Sequence, residues 1–166
     1  GYLRLIESLT FAVSTIVLKE RSNMVLRLRP ALGIATCGIF DDPAIVAEIK
    51  QAAETMRKAM VQLNELDSGL AAESSAQSLN QMMMMRWVIV TKEEFAKKII
   101  NLVAVECLCH KVKREAFACD EDYFAALHSH HAVMQAAMKA KQSANTAAAD
   151  ALDYAIEDFA KMYIKE

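Results

Sequence analysis

Eight side chains able to bind metal or move protons crowd one part of this chain: Glu106, Cys107, Cys109, His110, Cys119, His128, His130 and His131. They include every histidine and three of the four cysteines. On a helix Glu106 and His110 stand one turn apart (i, i+4), as do His128 and His131 (i, i+3), so two packed helices could bring the four together. Imidazole, thiolate and carboxylate are zinc's preferred ligands, and di-iron bundles place inward Glu and His on facing helices. Glu106, His110, His128 and His131 are therefore the candidate ligands for a transition metal such as zinc or iron.

The spacing departs from the established metal patterns. Di-iron sites need Glu-x-x-His on two helices, whereas Glu106 and His110 form Glu-x-x-x-His, once. Structural zinc favours cysteines two to four residues apart, but a single residue separates Cys107 from Cys109. The run Cys107-Leu108-Cys109-His110 is one residue short of the c-type haem attachment motif. Small buried thiols beside surface histidines are the leading expectation, with no cofactor and no catalytic residue assigned. Glu106 also falls on a stripe with Phe95, Ile99, Leu102 and Cys109, where burial would favour its protonated form.

Two further groups invite binding. Met82, Met83, Met84 and Met85 precede Trp87, and four consecutive thioethers must point all around a helix. They predict either a helix buried on every side or an adaptable apolar surface against a partner. Lys19, Arg21, Arg27 and Arg29 form a basic patch suited to a helix C-terminus or an acidic partner. Interleaved aromatics are absent there, so no specific nucleic-acid partner is expected. Gly-rich phosphate loops and nucleophile elbows are absent.

The elements that must position these groups are helical. Four Gly and two Pro in 166 residues, with 54% hydrophobic and 24% charged residues, describe an all-α bundle in one domain. Leu5, Leu9, Ala12, Val13, Ile16 and Val17 predict a helix over 3–28, closed by Arg29-Pro30. Residues 31–40 form a connector. Asp41-Asp42-Pro43 starts a second helix reaching about Leu66, and Asp67-Ser68-Gly69 reads as a turn. A third helix covers 70–87, and the capping box Thr91-Lys92-Glu93-Glu94 starts a fourth running to about Phe117. Asp120-Glu121-Asp122 caps the last stretch, which is one helix or two with a break at 143–146. The expectation is an antiparallel bundle of five to six helices with mostly short connections.

Net charge is −2, divided as +3, −4, +3 and −4 over residues 1–40, 41–80, 81–119 and 120–166. Alternating signs suit neighbouring helices that attract laterally. No run approaches the roughly 18 apolar residues of a membrane span. Four cysteines in a chain of this size fit a reducing, cytoplasmic-type compartment better than a disulfide framework. The start at Gly1 suggests a fragment of a larger protein. The expected function is a non-enzymatic regulatory or scaffolding module, acting on a protein partner or as a homo-oligomer. The alternative is a metal- or small-ligand-binding bundle.

Overall fold

Asp42 accepts a hydrogen bond from the Ile45 amide at 3.2 Å, and Pro43 occupies the first helical position, where its missing N–H costs nothing. This start launches α1, Pro43–Leu70, in a computed structural model that describes residues 38–70 and 75–165. Helix α2 spans Ser75–Asn101, α3 Asp120–Gln142 and α4 Thr146–Ala160. A π-helical segment, Leu102–Cys109, continues α2, and a 3-10 turn, Arg114–Ala116, precedes α3. The described residues are helical with no strand, and four α-helices account for most of them. None of these helices is long and apolar enough to cross a membrane. The helix expected over 3–28 and the basic patch Lys19, Arg21, Arg27 and Arg29 lie outside the described residues.

Helices α1, α2, α3 and α4 close a ring: α1 packs on α2 and α4, and α3 packs on α2 and α4. Their inward stripes keep three-and-four spacing. From α1 come Ile45, Val46, Ile49, Met56, Met60 and Leu63; from α4 come Leu152, Ile156 and Phe159. Helix α3 contributes mostly small residues, Ala126, Val133, Ala137 and Ala140, which let its neighbours approach closely. Arg57 ties α1 to α4 through Asp150 at 2.7 Å and Asp153 at 2.5 Å.

Three boundaries differ from the sequence expectation, the first being that the helix expected to reach about Phe117 ends at Lys111. Asp67-Ser68-Gly69 does not end α1, which carries on to Leu70. Thr91 does not cap a new helix either: its hydroxyl donates to the Trp87 carbonyl at 3.0 Å, one turn back in a continuous α2. The break expected at 143–146 is real, because the Asn145 side chain accepts from the Ala147 amide at 2.9 Å and starts α4.

Lys92 is the most unusual member of the core. It is buried, yet its ammonium donates to the carbonyls of Ala140 at 3.2 Å, Lys141 at 2.7 Å and Ser143 at 2.6 Å. All three N–H bonds are thereby used, and the positive charge meets the negative end of α3. Burial pushes the amine below its ordinary value, opposed by the neighbouring Glu93 carboxylate.

Candidate functional site

The bent segment preceding α1 is strapped to the turn that follows α4. Gly38, Phe40 and Asp42 donate backbone hydrogen bonds to the carbonyls of Lys161, Met162 and Tyr163 at 2.7, 3.0 and 2.9 Å. Gly38 has φ +63°, and a Cβ there would lie 2.6 Å from Lys165 Cγ and 3.0 Å from Lys165 Cα. Only glycine satisfies both the left-handed backbone and that close approach. Lys165 also reaches Asp41 at 2.6 Å. The residue immediately before this clasp in the sequence is Cys37.

Beneath the clasp lies a buried polar chain. His130 Nδ1 donates to the Ala126 carbonyl at 2.7 Å, which leaves Nε2 to accept from the Tyr163 hydroxyl at 2.8 Å. The Cys107 thiol stands within hydrogen-bonding reach of the same hydroxyl. Phe40 and Phe159 enclose the group, their rings 5.0 and 4.6 Å from that of Tyr163. Lys111, paired with Asp42, lies 5.5 Å over the Tyr163 ring. Burial pushes His130 down to about 4, so the imidazole is neutral near neutrality. Burial raises both the Tyr163 phenol and the Cys107 thiol, and Lys111 lowers the Asp42 carboxyl. The chain Cys107–Tyr163–His130 is thus uncharged, fully partnered and closed to solvent, suited to holding the clasp rather than to nucleophilic attack.

The buried series running into the π-helical segment, Lys92, Ala96, Ile99, Val103 and Cys107, keeps three-and-four spacing, with Val112 following. The stripe expected through Phe95, Leu102, Glu106 and Cys109 lies on the neighbouring face of the same helix. Glu106 and Cys109 are instead exposed, and Glu106 pairs with His110 at 3.3 Å on the surface.

His128 and His131 are exposed on α3. The fold does not gather Glu106, His110, His128 and His131 into a metal-holding group, since the described residues contain no convergent set of three His, Cys, Asp or Glu. Tyr163 is the site residue that the sequence did not single out, and His130, named in the cluster, is not among the four candidate ligands. The signal for His130 was present: it falls on the core stripe Ala126, Val133, Ala137 and Ala140. Met82, Met83, Met84 and Trp87 are exposed and Met85 is half-buried, which overturns the expectation of a helix buried on every side.

The family model for nickel-containing superoxide dismutase matches residues 35–166, and the chain belongs to that family. No curated protein and no solved structure matches it. This membership corrects three expectations: a non-enzymatic regulatory or scaffolding role, the absence of a cofactor, and zinc or iron as the alternative metal. The residues alone concealed it because no metal motif of regular helical spacing is present.

Nickel(II) is held by a square-planar or tetragonal set of donors. Among the described residues such a set is missing: both nitrogens of His130 are engaged, and Cys107 is a protonated thiol turned to Tyr163. The bundle interior therefore does not fit nickel, and no chemical step runs through the metal there. Upstream of the described residues the sequence offers one thiol, Cys37, and no histidine.

Proposed function

We propose that this chain is an enzyme of superoxide dismutation whose nickel is held outside the helical core, on the segment that ends at Cys37. The observation that carries the reading is the extent of the family match, which begins two residues before Cys37 and covers the clasp and all four α-helices. In this reading Cys37 supplies a thiolate, and no described residue is assigned to nickel's remaining positions. The helical unit anchors the metal-bearing segment through Gly38, Phe40 and Asp42. The free thiols Cys107, Cys109 and Cys119 suit a reducing, cytoplasmic-type compartment. A helix over residues 3–28, supported by its apolar periodicity, would raise the helix count to five.

The test combines metal analysis with superoxide decay on the chain loaded with nickel, beside its Cys37→Ser variant. The expected result is stoichiometric nickel and catalysed decay in the parent chain, with both lost in the variant. A parent chain that takes up no nickel or removes no superoxide overturns the activity. A variant that keeps both overturns the assignment of Cys37.

A further inference from the structure

The clasp and the buried imidazole share one footing. Phe40, a clasp residue, lies over His130 with ring centres 6.4 Å apart and edge to face, and 5.0 Å from the Tyr163 ring. Phe159 closes the opposite side, 5.0 Å from His130. The turn that presents the Tyr163 hydroxyl to His130 also supplies the Met162 and Tyr163 carbonyls that hold the Phe40 and Asp42 amides. His130 is wholly buried, whereas Phe40 above it is half-buried. Lifting Phe40 would uncover the imidazole with every helix left in place.

The closed clasp demands a neutral ring. Nδ1–H serves the Ala126 carbonyl, so Nε2 must keep its lone pair for the Tyr163 hydroxyl. A proton on Nε2 would set two donors against each other, and the hydroxyl could escape only toward the Cys107 sulfur, a weak acceptor. The new charge would also lack a counter-ion among the described residues. Cys107 from the π-helical segment and Tyr163 from the turn after α4 are held neutral, and α4 offers the Phe159 ring. The Asp42 carboxylate before α1 is taken by Lys111, a like charge 5.5 Å over the Tyr163 ring. An imidazolium buried in this way is costly, and exposure to water relieves it.

We propose that the clasp is an acid-released latch: a proton taken up by His130 frees residues 38–42 from the turn after α4 while the four α-helices stay folded. The latch controls how firmly the chain upstream of Gly38 is tethered, and it is independent of the nickel reading. Opening returns the imidazole from about 4 to its ordinary 6.5, so the open form gains protons as the pH falls through that window. The opening equilibrium then rises about twentyfold between pH 7 and pH 5. Asp42, held below its ordinary 3.8 by Lys111, stays ionised across that range.

The test is amide hydrogen exchange read by NMR on the metal-free full chain at pH 7 and pH 5, for the parent and His130→Gln. Rates are expressed as protection factors, which removes the intrinsic pH dependence of exchange. Glutamine keeps an acceptor and a donor at that place but takes up no proton. In the parent, protection at the Phe40 and Asp42 amides should fall about twentyfold on acidification and lie below that of Ile49 and Ala52 in α1 at both pH values. In the variant most of that fall should vanish. Clasp amides as well protected as Ile49 and Ala52 overturn the proposal, since the clasp then opens only when the whole bundle unfolds. A parent fall below about threefold overturns it too. Both outcomes are read on the parent alone, so they decide the matter even where the variant fails to fold. An equal fall in the two proteins overturns the assignment to His130.

Discussion

Acidification should weaken the fold through one residue, His130. Its imidazole is buried between the Ala126 carbonyl and the Tyr163 hydroxyl, and burial moves its pKa from 6.5 to about 4. The unfolded chain therefore takes up a proton at higher pH than the native state does. Between those two values stability must rise with pH and fall with acid. A shift of about 2.5 units corresponds to about 3.4 kcal/mol in full, expressed below pH 4, of which about 2 kcal/mol is already lost at pH 5. No buried neighbour offsets the effect, because Tyr163 and Cys107 are both pushed toward their neutral forms. The assay is urea unfolding at pH 7 and pH 5 for the parent chain and for His130→Gln. Carboxylates contribute to both proteins, so the difference between their pH dependences isolates His130. With a slope of about 1.5 kcal/mol per molar urea, the parent midpoint should fall by about 1.3 M more than that of the variant. Parallel behaviour of the two proteins would refute the reasoning, since His130 would then not be held neutral by burial.

Two other changes probe the frame. Lys92→Met should cost about 2–3 kcal/mol, since three carbonyls at the end of α3 lose a charged donor while the packing volume is kept; chemical denaturation reads this, and a loss below about 0.5 kcal/mol would show that the carbonyls need no ammonium. Gly38→Ala should cost about 1–2 kcal/mol for the left-handed backbone alone, and Lys165 must also move aside. Hydrogen exchange at the Phe40 and Asp42 amides should then accelerate relative to the core of α1, and unchanged protection would show that the clasp tolerates a side chain.

Much of the architecture is written locally in the chain. The scarcity of glycine and proline, the cap at Asp42-Pro43, the acidic start of α3 and the break before Asn145 each depend on a few adjacent residues, so composition and spacing reveal them. Thr91 to Glu94 shows where local reasoning fails: it has the chemistry of a cap, but the backbone there is already held by packing from Lys92 inward. A capping box contributes about 1 kcal/mol, too little to break a helix whose following residues are buried.

The candidate site was hidden for a different reason. Whether Glu106 or Cys107 faces the core turns on which of two adjacent faces of one helix meets the bundle, and since both carry three-and-four spacing, periodicity along that helix cannot choose between them. The family match covers residues 35–166, whereas the metal-ligand spacings inspected in the sequence all lay between Glu106 and His131. The amino-acid sequence by itself determined the all-helical class, most helix starts and the apolar stripes, because these follow from torsional preferences and hydrophobic periodicity along one segment. Tertiary structure alone decided that His130, Tyr163 and Cys107 share one buried chain, that Lys92 is a core cation, and that the methionine run faces outward. Each of these depends on which distant segment supplies a partner or leaves a face uncovered.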